Sequence, residues 1–222
     1  ALRASSHADE VVATDINPRA LAYAHFNAAL NRVATPAVRA GDLFEPVAND
    51  RFDLIVANPP YVLSPDSSLQ FRDSGMDGDR LSQTVVHEAA AHLNDHGFAS
   101  MLVSWAHQDG GGWQPPLAGW VDGLGCDALL LHFRTYDPLT YASLWIRDAA
   151  DVGDALDRWL AYYRRLGIEA MSSGAVILRR RSGVNWTRAV DVRAAPNQAA
   201  SEHLLRIFAA NDLRPTPTDT EG

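Results

Sequence analysis

A doubly wound α/β domain on a mostly parallel sheet is the fold this sequence predicts. Three observations carry that expectation. Short apolar or β-branched runs alternate with helical patterns along most of the chain, the order of βαβ units. The first run, residues 10–14, is followed closely by Asn17-Pro18, a helix start. The run Phe52-Asp53-Leu54-Ile55-Val56-Ala57 has strand length, and the two prolines of Asn58-Pro59-Pro60-Tyr61 stop it.

The elements follow in order. Glu10 to Thr14 is a short β-branched strand ending at Asp15. Asn17 as N-cap and Pro18 at the first helical position open a helix that runs to about Asn31. Leu21, Ala24 and Ala28 face the sheet, with Phe26 a further candidate. Pro36 to Ala40 is a second strand that stops at Gly41-Asp42, and Phe52 to Ala57 is the third. A polar connection, Ser64 to Gly78, leads to a helix over Asp79 to Asn94 and a strand over Phe98 to Trp105. Trp113 to Leu124 reads as a short helix with Pro115 and Pro116 in its first turn, and Ala128 to Phe133 as a strand. Asp151 to Leu166 is an amphipathic helix, and Gly174 to Arg180 a further strand. Val184 to Val192 adds one more strand and Ala199 to Asn211 a helix. The tail from Arg214, with Pro215 and Pro217, is expected to be disordered. The predicted division is a main domain over 1–182, an extension over 183–213 and the tail over 214–222.

Composition narrows the function. With 222 residues, 47% of them hydrophobic, the chain can bury a sizeable core. No apolar run has transmembrane length, so no membrane role is expected. The single cysteine, Cys126, excludes an internal disulfide framework, fits a reducing cytoplasm, and reads as a buried, inert thiol. A net charge of −8 argues against broad, sequence-blind binding to nucleic acid. All 19 basic residues are arginine, which removes any lysine-based mechanism. The opening Ala-Leu-Arg-Ala-Ser-Ser-His reads as the middle of a helix, so the chain is expected to be a fragment that lacks a preceding strand and turn.

Asn58 sits at the carboxyl end of a buried strand, where open α/β sheets bind ligands. Its side-chain oxygen and the carbonyl of Pro59 are two acceptors held on a loop stiffened by fixed proline φ angles. Tyr61 adds a flat face with a polar tip; it can stack on a planar group or prop the loop. Together these groups suit a planar, N–H-bearing substrate. Asp15, between a strand and a helix, suits the hydroxyls of a ribose or an ordinary helix cap. Asp42 also ends a strand, as a ligand acceptor or as a solvated turn residue.

Asn-Pro-Pro-Tyr after a hydrophobic strand resembles motif IV of the class I S-adenosylmethionine-dependent methyltransferases that act on planar nitrogen. Within that group the chain resembles the HemK-like glutamine N5-methyltransferases, over about residues 10 to 105 and more loosely to 181. The resemblance implies a Rossmann-like sheet with an antiparallel last strand, here without its first strand and the glycine-rich turn after it. It implies S-adenosyl-L-methionine as cofactor, held by Asp15 with Ile16 and Asn17 along the adenosine pocket, by Asp42 at the adenine amino group, by Leu43 on the ring, and by Asn58. It makes Asn58, Pro59 and Tyr61 the groups that grip the acceptor nitrogen. The segment Phe71 to Gly78 resembles the family's link to the next helix, in which Arg72 and Asp73 orient the loop or touch a partner.

No metal is expected. His87 and His92 lie five apart, about 140° around a helix, where a zinc helix needs four; they read as solvated. Arg164-Arg165 and Arg179-Arg180-Arg181 read as charged faces rather than an RNA surface. The expected activity is methyl transfer to a protein glutamine amide, with a translation release factor as the implied partner. The isolated 222 residues are expected to be inactive, with weak or no cofactor affinity. One rival is N-methylation of a base in ribosomal RNA or DNA. The other is a non-catalytic binding module on the same scaffold.

Overall fold

The computed structural model describes residues 1–67, 73, 75–108, 110–146, 151–192 and 200–213. The elements are β1 (Val12–Asp15), α1 (Pro18–Asn31), β2 (Ala37–Ala40), β3 (Phe52–Ala57), α2 (Arg80–Ala91), β4 (Leu93–His107), α3 (Gln114–Val121), β5 (Cys126–Tyr136), α4 (Pro138–Trp145), α5 (Val152–Leu166), β6 (Ala170–Arg180), β7 (Thr187–Asp191) and α6 (Ser201–Asp212). The tail over 214–222 and Arg72 lie outside the described residues.

The strands form two sheets. One is the parallel pair β1-β2; the other is five-stranded, in the order β3-β4-β6-β5-β7. In the larger sheet β6 alone runs against its neighbours β4 and β5, while β3 is parallel to β4 and β7 to β5. The expected antiparallel last strand of the main domain is therefore β6. In the doubly wound order 3-2-1-4-5, the first strand lies between the second and the fourth. With β1 to β4 taken as the second to fifth strands, the break between the two sheets falls at the position of the first. Strand β3 is accordingly an edge strand, and one of its faces is uncovered: Leu54 is 50% and Val56 74% exposed.

Apolar residues on one face of the large sheet build the principal core. Ile55, Met101, Val103, Trp105, Leu130 and Val176 pack against Leu81, Val85, Val86 and Ala89 of α2 and Leu117 and Trp120 of α3. A second core joins Val62 and Leu63, just beyond the β3 loop, to Tyr141 and Ile146 in and after α4 and to Trp159, Tyr162 and Tyr163 of α5. Phe26 faces solvent instead of a sheet, at 59% exposure, because the α1 stripe that packs is Leu21, Ala24 and the buried Ala28.

Helix α4 was not anticipated, although its start signal is present. Asp137 precedes Pro138, its carboxylate accepts the Thr140 amide at 2.9 Å, and the Thr140 hydroxyl donates to it at 2.6 Å. Strand β7 lies inside the segment read as an extension; its pairing with β5 carries it into the first of two compact units, residues 1–191, with the second over 192–222.

The end of β4 is tied to the start of α2 by Asp79, whose Oδ2 accepts the Ala106 amide at 2.9 Å. Burial pushes this carboxyl above its ordinary value of 3.8. A folded-state value above the unfolded one means that the native protein holds the proton more tightly. Stability is then fullest below 3.8 and declines as pH rises through the raised value. Asp79→Asn keeps the acceptor and removes the charge. Its urea midpoint is expected to gain on the parent's as pH is raised from about 4 to about 7; an equal difference at both ends would rule this out.

Candidate active site

The small sheet delivers one group of candidate residues. Asp15 and Ala40 are register partners, so Asp15 and the Gly41-Asp42-Leu43 turn leave the same end of the parallel pair. Asp15 is exposed and its Oδ1 accepts the Asn17 amide at 2.8 Å; Asn17 in turn accepts the Arg19 amide at 2.9 Å as the α1 N-cap. The cap of α1 is thus Asn17 and not Asp15, whose Oδ1 closes a turn onto the amide two residues along. Ile16 is 56% exposed, a large apolar side chain without cover. Asp42 is exposed as well.

The turn after β2 is strained. Leu43 has φ 44°, a left-handed conformation that costs a non-glycine residue about 1–2 kcal/mol. Its carbonyl accepts from the Thr14 hydroxyl at 3.4 Å. Gly41 cannot carry a side chain, since a Cβ there would stand 2.4 Å from Pro46 Cγ. Leu43 and Phe44 pack against the principal core, and the Phe44 ring lies 4.9 Å from that of His92. The turn thus anchors the small sheet to the large one.

The second group follows β3. Asn58 is exposed, Pro59, Pro60 and Tyr61 are half-buried, and Val62, Leu63 and Ser64 are buried. Among the described residues no hydrogen bond engages the Asn58 side chain, so its oxygen is open to a substrate N–H. The chain after Tyr61 is held closely. Leu63, fully buried, gives its amide to the Tyr141 hydroxyl at 3.3 Å, and its carbonyl accepts from the Tyr163 hydroxyl at 2.8 Å. Asp66 accepts from Arg158 at 3.0 Å and from the Trp159 indole at 2.9 Å. The Gly78 amide donates to Tyr162 at 2.7 Å, and Asp77 pairs with Arg165 at 3.1 Å. Asp73 is buried and its backbone bridges to Val62, so this part of the link is not a solvated connection.

Burial pushes the Tyr141 phenol up to about 12, against the lowering effects of the Leu63 amide and the Ser104 hydroxyl; the charge of Tyr61 raises it further. Tyr141 is therefore a neutral hydroxyl at ordinary pH and lies within electrostatic reach of the motif. Tyr141, Tyr163 and the Asp66 partners are the site features that sequence reading missed. Aromatic spacing on α5 was visible as amphipathicity, but its target is 100 residues away along the chain.

The other candidates take structural places. His87 donates to the Trp120 carbonyl at 2.9 Å and His92 to that of Glu88 at 2.8 Å; neither is simply solvated. Among the described residues no cluster of three or more histidine, cysteine or acidic side chains could hold a metal, and no helix is long and apolar enough to cross a membrane. Cys126 is buried at the start of β5, and burial raises its thiol. Arg179 is 10% exposed and meets the fully buried Asp127 carboxylate through two nitrogens, at 2.6 and 3.2 Å, while Arg180 donates to the Ala90 carbonyl at 2.6 Å.

Residues 1–110, which contain both groups of candidates, match the model of the methyltransferase small domain. The chain is similar to the HemK-like class I methyltransferases. Among its relatives, the release factor glutamine methyltransferase of Xylella fastidiosa is 30% identical over 154 residues, which cover 65% of this chain and 50% of that protein. A protein of Methanocaldococcus jannaschii named as an N5-glutamine methyltransferase is 36% identical over 107 residues, 46% of this chain and 53% of the relative. The ribosomal protein uL3 glutamine methyltransferase of Bradyrhizobium diazoefficiens is 36% identical over 67 residues, 26% of this chain and 21% of the relative. The chain spans about half the length of these first two relatives. Its sheet order and antiparallel β6 agree with the Rossmann-like architecture expected of the family.

Proposed function

We propose that this domain transfers a methyl group from S-adenosyl-L-methionine to the side-chain amide of a protein glutamine. The observation that carries the reading is an exposed Asn58, with its oxygen unengaged among the described residues, set beyond β3 on a loop whose far end is clamped at Leu63. The relatives named for glutamine methylation support the choice of acceptor, and those named for release factors support a translation release factor as the protein.

The residues present fit the adenosine half of the donor. Asp15 offers Oδ2 toward a ribose diol, with Ile16 and Asn17 beside it. Asp42 offers an acceptor for an exocyclic amine, and the strained turn presents Leu43 to a ring. Such strain clusters at ligand clamps. When bound, the donor supplies a sulfonium-activated methyl group. The chain's own part is to bind and orient the acceptor. The Asn58 oxygen and the Pro59 carbonyl accept the two amide N–H bonds and fix the nitrogen lone pair toward the methyl. Positive charge develops on that nitrogen as the bond forms, and two acceptors aimed at it stabilise the transition state. Tyr61 flanks the planar amide. No carboxylate base is needed: the N–C bond would form as the S–C bond breaks, leaving a neutral thioether, and the methylated nitrogen, now strongly acidic, would give its proton to water.

The arginines do not favour a nucleic-acid acceptor. Arg158, Arg165 and Arg179 are each engaged with a carboxylate. The deciding experiment incubates the full-length protein and radiolabelled donor with a release factor and, separately, with ribosomal RNA. Label is expected on a glutamine of the protein. Label on RNA alone would overturn the reading.

A further inference from the structure

Helices α4 and α5 stand between β5 and β6, which are adjacent antiparallel strands. They take hold of one residue of the acceptor loop from both sides. The Leu63 amide reaches Tyr141 on α4 and the Leu63 carbonyl reaches Tyr163 on α5, at 3.3 and 2.8 Å. Both phenols are almost wholly buried, at 2% and 1% exposure, so water does not compete for these bonds. Holding the N–H and the C=O of a single residue fixes the peptide planes on either side of it.

The path from that residue to Asn58 is short and stiff. Pro59 and Pro60 have locked φ. Val62 is buried and bridged to Asp73, and Tyr61 alone stands between it and Pro60. Asp66, three residues beyond Leu63, is fastened to Arg158 and Trp159 of the same α5 face. Any rotation of Leu63 must therefore be taken up at Asn58 and Tyr61. From this geometry we infer that Tyr141 and Tyr163 are positioning residues for methyl transfer, which set the pose of Asn58 through the backbone of Leu63. The inference rests on the function proposed above. Its scale follows from the chemistry: a misplacement of about 1 Å at a reacting group costs about 10²-fold in rate, and loss of one tether allows a part of that displacement.

The test uses the full-length protein and the variants Tyr141→Phe and Tyr163→Phe, which keep ring packing and remove one hydroxyl each. A merely structural role lowers Tm and leaves turnover of the folded protein alone. A positioning role lowers kcat by about tenfold, well below Tm, with donor affinity at equilibrium unchanged. Hydrogen exchange gives a readout independent of turnover: the Leu63 amide is expected to exchange about tenfold faster in Tyr141→Phe. Ser143→Ala, on the exposed side of α4, serves as the control with parental kcat. If the parent is active, Asn58→Ala is not, and both phenylalanine variants turn over within about twofold of the parent, the inference is wrong and the functional reading stands. If the parent labels no glutamine, both fall together.

Discussion

Asn58→Ala in the full-length protein is expected to slow methyl transfer by about 10²–10³-fold, the loss that follows removal of one preorganised group from a developing charge. Asn58 is exposed, and its side chain supports no other part of the fold among the described residues, so Tm should stay at the parental value. The two expectations together separate chemistry from stability. Single-turnover measurement with labelled donor and a saturating release factor reads the chemical step directly. A rate within about twofold of the parent would remove the acceptor role of Asn58.

Asp127→Ala is expected to cost about 3–5 kcal/mol of stability, from a total that for a domain of this kind is about 5–15 kcal/mol. Asp127 is fully buried on β5, where its Oδ2 takes two bonds from Arg179 on β6 and its Oδ1 takes the Trp186 amide at 3.2 Å. Removing the carboxylate takes the ion-pair partner from a guanidinium at 10% exposure and the acceptor from a backbone amide just before β7. Burial of the pair as such contributes little, since desolvation offsets most of the attraction. The double variant Asp127→Ala/Arg179→Met is therefore expected to recover a large part of the loss. Urea unfolding of the three proteins measures both effects. A single-variant cost below about 1 kcal/mol would show that the pair is solvated.

Local chemistry was legible in the sequence. Strand β3 has the bounds that its apolar run and the two prolines dictate, and α1 starts where Asn17 and Pro18 place it, because in both cases the signal and its effect are neighbours. Strand β4 begins at Leu93, not Phe98, since pairing with β3 and β6 extends it past Gly97 at one end and to His107 at the other. The arginine triplet was read as a charged face, yet Arg179 is a buried ion-pair partner; its carboxylate lies 52 residues earlier, and no local pattern reveals that. The same holds for the grip on Leu63. Helix α4 has only eight residues and is apolar nearly all round, so it shows no periodic stripe, and its partner is 78 residues away. What sequence reading offered at the site is its exposed side chains, Asp15, Ile16, Asp42 and Asn58. What it missed is the scaffolding behind it, which only tertiary contacts define.

The topology of α4 and α5 has an evolutionary consequence. Tyr136 and Met171 face each other across the β5–β6 ladder, about 5 Å apart, so a tight turn would suffice to join these strands. The two helices are thus a cassette spliced into a hairpin. Such an insert can lengthen, shorten or change composition while every rung of the ladder stays paired. On the function proposed above, exchange of the cassette alters the support of the Asn58 loop and leaves the turns after β1 and β2 on the other sheet untouched.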